Sequence, residues 1–206
     1  MFAYERLGEL ANRQRCDRLN VLGAGSGLTF FPHFVVTRHP NISIHCSDCD
    51  PQVQIDAGGL ITPAARAVSY SIQDISALTY PDASFDTIYC ISVLGHCDHY
   101  TEILAGFARI LKPGGRLMLT MDISPDGRSE IPREQAALLI KHLEQWFVPD
   151  SDYESMIDNL DEAQILTTAY ARKMDPSLLP WGPPGWRQSL RHFFAMCAFL
   201  SPLSVT

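Results

Sequence analysis

The chain has 206 residues, 46% of them hydrophobic and 10% aromatic, which is enough to bury a full core and short for two domains, so a single domain spanning 1–206 is expected. Sixteen Lys and Arg against 23 Asp and Glu leave a formal net charge of -7, and a polyanion is bound by clustered basic side chains, so no nucleic-acid partner is expected. Met1 to Leu10 carries Glu5, Arg6 and Glu9 where a secretory signal needs an apolar stretch, and the longest apolar run, Phe193 to Leu200, falls far short of the ~20 residues that cross a bilayer. A cytoplasmic protein with no membrane partner is the expectation.

Read in chain order, residues Leu19 to Thr120 alternate short apolar runs with helical stretches, the pattern of a parallel sheet covered on both faces in a doubly wound α/β fold. Leu19 to Leu22 reads as a strand ending in Gly23-Ala24-Gly25-Ser26-Gly27, and Leu28 to Val36 as the helix that follows. Ile42 to Cys46 is a second strand, ending at Asp48-Cys49-Asp50-Pro51. A helix within Val53 to Ala67 is interrupted by Gly58-Gly59 and Pro63, and Val68 to Ile72 is a third strand that stops at Gln73-Asp74. Phe85 to Val93 reads as a long buried fourth strand. Glu102 to Leu111 sets Ile103, Leu104, Phe107, Ile110 and Leu111 at helical spacing.

A turn at Lys112-Pro113-Gly114-Gly115 then leads into a fifth strand, Arg116 to Met121, and Pro132 to Phe147 reads as an amphipathic helix. These elements form a core of about residues 17–147. Prolines 176, 180, 183 and 184 mark an irregular excursion over about 148–191, and about 192–200 forms a last strand. Six cysteines, at 16, 46, 49, 90, 97 and 197, read as reduced thiols. Cys46-x-x-Cys49 lacks the second ligand pair that a zinc site wants, so no metal site is expected.

The glycine-rich turn between first strand and first helix lets backbone N–H groups approach a ligand at a helix N-terminus. Leu28 stands where the dinucleotide fingerprint G-x-G-x-x-G needs its last glycine, which argues against NAD and FAD. Asp48 ends the second strand, where ligands of open parallel sheets bind, and a carboxylate there can accept both hydroxyls of a ribose. A helix cap is the competing role, with Asp50 before Pro51 the better cap candidate. Asp74 ends the third strand equivalently and reads either as an acceptor for the exocyclic amine of adenine or as a turn residue. His96, just past the fourth strand with Asp98 and His99 beside it, is the candidate general base; a packing or capping role is the alternative.

In combination these segments resemble the class I S-adenosylmethionine-dependent methyltransferases of the small-molecule, Rossmann-like type. The resemblance rests on Val21-Leu22-Gly23-Ala24-Gly25-Ser26-Gly27, Ile44 to Asp48, Ser71 to Ile75, Pro81 to Ile88, Ile91 to His96, and Arg109 to Leu117, in order over about half the chain. It implies a doubly wound, mostly parallel seven-stranded sheet with helices on both faces, and S-adenosyl-L-methionine as cofactor. It implies further that Gly23, Ala24, Gly25 and Gly27 hold the methionine portion, Asp48 the ribose with Cys49 against the adenine, and Asp74 the adenine amine with Ile75 stacking nearby. Ile91, Ser92 and Val93 would lie beside the methyl donor, while Lys112 to Gly115 would be a structural turn. The acceptor expected is a small or sugar-like molecule taking the methyl by in-line transfer.

Two positions depart from the family pattern: Val21 replaces an acid two places before the first glycine, and Gly95 replaces a glutamate before the histidine. They motivate the alternative of a non-catalytic, methyltransferase-like cofactor-binding module. Tyr170, Arg172, Trp181, Trp186 and Arg187 are candidates to line an acceptor pocket, with packing of the C-terminal excursion against the core as the competing account.

Overall fold

The computed structural model describes residues 2–13, 18–60, 67–124, 131–158 and 194–202. Strands β1 (Leu19–Ala24), β2 (Ile42–Asp48), β3 (Val68–Ile72), β4 (Phe85–Ile91) and β5 (Leu111–Ser124) pair in parallel. β8 (Phe194–Pro202) runs antiparallel beside β5, with Leu117 opposite Leu200 and Ile123 opposite Phe194, and β7 (Phe147–Pro149) runs antiparallel beside β8. The sheet order is β3-β2-β1-β4-β5-β8-β7, seven strands in line, and an eighth of two residues, β6 (Ile131–Pro132), pairs β5 off that path. Strand order reverses between β1 and β4, so the crevice of a doubly wound fold opens beyond the carboxyl ends of those two strands.

Side chains alternate across the sheet and feed two cores. Leu22 and Ala24 of β1, Ile88 and Cys90 of β4, and Leu117, Leu119, Met121 and Ile123 of β5 pack on one face against α4 (Tyr100–Ile110), α5 (Arg133–Glu144) and α6 (Tyr153–Asp158). Val21, Ile42, Ile44, Cys46, Tyr89 and Met118 point to the other face, where α1 (Phe2–Arg13) brings Leu7 and Ala11 and α2 (Phe31–Arg38) brings Val35 and Val36. A parallel sheet dry on both faces explains why the central strands read as nearly continuous apolar runs.

Boundaries follow local chemistry. α3 (Pro51–Gly58) starts where the Asp50 carboxylate accepts from the Gln52 N–H and Pro51 takes the first turn, and it buries none of its residues. β4 stops at Ile91, two residues before the expected end, because Ser92 turns into the left-handed region at φ 54 and a short 3-10 turn, Leu94–His96, follows. Residues 112–115 lie inside β5: register against β4 jumps from Phe85 opposite Leu111 to Thr87 opposite Arg116, and Gly114 has φ 76. The expected turn is therefore a bulge within one strand. The helix expected to reach Phe147 ends at Glu144, and Phe147 enters β7. Within 148–158 the chain forms the rest of β7 and then α6, while the remainder of the expected excursion lies outside the described residues. No helix among the described residues is long and apolar enough to cross a membrane.

Candidate functional site

The glycine turn is shaped by two demands. Gly23 sits opposite Tyr89 on the neighbouring strand, and a Cβ there would lie 2.5 Å from the Tyr89 Cζ, closer still to its hydroxyl. Gly23 thus admits a buried ring of the second core and lies, with the fully buried Ala24, behind the site wall. Gly25 and Gly27 turn at φ 62 and φ 54, and a Cβ on Gly25 would meet Val93 Cγ1 at 2.7 Å. The turn is tied down by the Ser26 N–H donating to the Ser47 carbonyl at 3.0 Å and the Gly27 N–H donating to Asp48 Oδ2 at 2.9 Å.

Asp48 is the hub. Its Oδ1 accepts from the Asp50 N–H at 3.0 Å, so each carboxylate oxygen holds one backbone amide and keeps lone pairs for a ligand. Its own carbonyl accepts from the Gln73 N–H at 2.9 Å, which joins the ends of β2 and β3. Asp74 is exposed; Oδ1 accepts from both the N–H and the hydroxyl of Ser76, at 2.8 and 2.7 Å. Those two bonds hold its carboxyl below the ordinary carboxylate value. The turn role expected for Asp74 is thus present.

These pieces converge on a cavity of about 480 Å³ at the carboxyl ends of β1 to β4, within the size range of small-molecule sites. Gly25, Gly27, Asp48, Cys49, Asp74, Ile75, Ile91, Ser92 and His96 line it; Gly23 and Ala24 do not. Val93, expected beside the methyl donor at the end of the fourth strand, lines it too, as do Ser26, Gln73 and Cys97, which the sequence does not single out. Ser26 sits between two glycines of the motif and Gln73 beside Asp74, so adjacency was the available signal. Cys97 arrives through the turn at Ser92, which no residue type announces.

The far wall carries little charge. Cys97 is half-buried, and burial, then the nearby Asp74, Asp98 and Cys49, push its thiol above the usual value. His96 is exposed at the rim, and no hydrogen bond joins it to Asp98 or His99 among the described residues. Ser92 Oγ lies 3.5 Å from Asp122 Oδ2 on β5. Val21 is fully buried in the second core, and a Cβ on Gly95 would meet Ile131 Cγ1 at 3.0 Å, so both departing positions face protein. Cys46 packs in the second core while Cys49 lines the cavity, so the two thiols point apart. The candidates Tyr170, Arg172, Trp181, Trp186 and Arg187 lie outside the described residues.

Lys112 to Gly115 stand at the opposite end of the sheet. Lys112 Nζ contacts both Asp86 oxygens at 2.9 and 3.0 Å, and Asp86 Oδ2 also accepts from the Asn20 N–H at 2.8 Å. This cluster locks β1, β4 and the β5 bulge together, away from the cavity.

Comparison with known proteins bears on this cavity. Residues 21–119 match the family model of the methyltransferase domain. The chain is 27% identical over 116 residues to the ajmaline N-methyltransferase of Rauvolfia serpentina, covering 53% of this chain and 40% of that one. It is 34% identical over 99 residues to the demethylmenaquinone methyltransferase of Deinococcus radiodurans, covering 48% and 41%. The chain thus spans about two fifths of the length of these curated relatives. Its fold is similar to that of phosphoethanolamine N-methyltransferase 2 of Haemonchus contortus, solved with S-adenosylhomocysteine, at a TM-score of 0.56 and 15% identity over 97% of this chain and 52% of that one. Sheet order, strand-end carboxylates and the matched segment agree: residues 21–119 form a methyltransferase domain with the fold of the class I, S-adenosylmethionine-dependent type.

Proposed function

We propose that the chain transfers a methyl group from S-adenosyl-L-methionine to a small-molecule or sugar-like acceptor. The observation that carries the reading is the convergence of two left-handed glycines and two strand-end carboxylates on one 480 Å³ cavity. The donor set suits an adenosyl group: Asp48 offers free lone pairs to a ribose diol, Asp74 an acceptor to an exocyclic amine, and Ile75 and Ile91 apolar faces to a base. Gly25 and Gly27 let the backbone approach the amino-acid end, with Cys49 and Ser92 alongside. When bound, the cofactor supplies an electrophilic methyl on a sulfonium, a leaving group that needs no activating residue. Alignment of an acceptor against such a methyl accounts for roughly 7–11 kcal/mol of barrier lowering.

His96, at the cavity rim, takes the proton that a hydroxyl or ammonium acceptor must lose. The work is done by one domain in the cytoplasm, on small molecules and without nucleic acid; the negative net charge and, among the described residues, four free cysteines, two of them buried, support this setting. The second reading, a cofactor-binding module without turnover, is favoured by Val21 and Gly95, which bring no carboxylate to the site. Calorimetry with S-adenosylhomocysteine, followed by transfer of labelled methyl across an acceptor panel, separates the two. Micromolar binding with labelled product supports transfer; binding without product on any acceptor supports the module; no binding at millimolar ligand removes both.

A further inference from the structure

Between β3 and β4 the chain runs from the cavity, which Gln73, Asp74 and Ile75 line, to the amino end of β4 without forming a helix or a strand. The bonds Asp74 accepts, from the N–H and the hydroxyl of Ser76, stay inside this segment, so the place of its carboxylate follows from how the segment is held. Arg109, in the last turn of α4, holds it. One guanidinium nitrogen donates to the Tyr80 carbonyl and to Asp82 Oδ1, both at 2.7 Å, and another donates to the Leu78 carbonyl at 2.7 Å. A planar fork presents its donors in fixed directions, so two carbonyls two residues apart are set at once.

Thr79, between those two carbonyls, carries the constraint back to the cavity. Its N–H donates to Gln73 Oε1 at 3.1 Å, and Gln73 Nε2 donates to its Oγ1 at 3.0 Å. The Gln73 N–H in turn donates to the Asp48 carbonyl at 2.9 Å. Bonds thus run from Arg109 to the residue beside Asp74 and on to the other strand-end acid. Tyr80 ties the same segment to the sheet through its hydroxyl, 2.7 Å from Ser71 Oγ. We propose that Arg109 is a positioning residue for base recognition: by fixing Leu78 and Tyr80 it sets Asp74 to accept from a purine amino group, and so selects adenine over a base with a carbonyl there. The proposal rests on the reading of the cavity as a cofactor site. A carboxylate set against a carbonyl oxygen makes two acceptors with no proton between them. That arrangement is penalised only while the carboxylate is held in place, so discrimination between bases depends on the clamp.

The test is calorimetric titration of S-adenosylhomocysteine, and separately of S-inosylhomocysteine, in which a carbonyl oxygen replaces the 6-amino group, into the full chain well below its melting temperature. The unsubstituted protein should prefer S-adenosylhomocysteine by about tenfold or more, as one charge-assisted bond implies. Arg109→Ala should narrow that preference to about threefold or less by weakening S-adenosylhomocysteine, with the inosyl ligand held within about twofold. Thr79→Val, at an exposed position, cuts the link to Gln73 and should narrow the preference in the same way; it decides the matter if Arg109→Ala does not fold. Asp82→Ala removes the ion pair, leaves both carbonyl bonds and should keep the full preference. Equal weakening of both ligands by Arg109→Ala would mark a general structural role and overturn the proposal. An unchanged preference in either variant, or an unsubstituted protein that binds both ligands alike, would overturn it equally. Failure of S-adenosylhomocysteine to bind at all would instead remove the cofactor reading, and the base assignment with it.

Discussion

Asp48 is the position where the proposed function is most exposed to refutation. Its two oxygens carry two loads each: Oδ2 anchors the Gly27 amide at 2.9 Å, Oδ1 the Asp50 amide at 3.0 Å, and both remain open to a ribose diol. Asp48→Asn keeps size and shape but leaves one carbonyl oxygen and one amide NH2, so one backbone N–H faces a donor and the charge is gone. Hydrogen bonds to a charged group contribute about 1.5–3 kcal/mol each, and the lower end suits a half-buried side chain. Loss of one charge-assisted ribose bond, plus a loosened Gly27, amounts to about 1.5–3 kcal/mol in binding, or roughly a ten- to hundredfold rise in Kd for S-adenosylhomocysteine.

Calorimetry at neutral pH reads that change directly. A thermal melt without ligand reads the loop part separately, expected as a fall in Tm of a few degrees because about 1 kcal/mol moves a domain of this size by roughly 2–4 °C. An unchanged Kd in a protein with a normal melt would mean that no ligand uses this carboxylate. The ribose assignment would then be wrong, along with the reading of the cavity that depends on it.

Asp86→Ala removes the partner of Lys112 and of the Asn20 N–H at once, so urea unfolding should show a loss of about 2 kcal/mol while the affinity for S-adenosylhomocysteine stays within twofold. A large affinity loss would contradict a purely structural role for the β5 bulge. Cys49 is exposed in the cavity while Cys46 and Cys90 are buried, with burial raising both thiols. Maleimide should therefore modify Cys49 in the native protein and spare the other two until unfolding, and S-adenosylhomocysteine should protect Cys49 in peptide mass spectra. Burial also holds the His45 and His33 imidazoles below the ordinary histidine value. The unfolded chain then takes up protons first, so stability is fully present above about pH 6.5 and falls as the pH drops towards the folded values. His45→Gln should flatten that fall in urea midpoints, and an unchanged slope would refute the assignment to His45.

What the sequence revealed and what it hid divide along one physical line. β3 was legible to the residue, Val68–Ile72, because an apolar run bounded by a turn needs no partner to be recognised. The periodic face of α4 at Ile103, Leu104, Phe107 and Ile110 was legible for the same reason, while Tyr100 was not read as part of it and Leu111, expected on that face, begins β5. The acids Asp48 and Asp74 could be placed beside one crevice because chain order through a parallel sheet sends every strand end to the same edge. β7 was not legible. Phe147 continues the stripe of α5 at four residues from Leu143, and only pairing with β8, distant in sequence, turns it into a strand. The left-handed turn at Ser92, which delivers Val93 and Cys97 to the cavity, has no signature in a serine.

Gly23 shows why a motif does not assign roles within itself. Three glycines at alternate positions invite one explanation, a backbone held close to a ligand. Only Gly25 and Gly27 adopt the left-handed angles of such a loop; Gly23 is an ordinary strand residue whose missing Cβ makes room for the ring of its cross-strand neighbour. The neighbour is set by sheet order: β1 lies against β4, not against the next strand in sequence alone, so Tyr89, 66 positions away, decides what position 23 can hold. Position 23 is therefore held to glycine by an aromatic ring on the neighbouring strand, a demand that the loop motif by itself does not reveal.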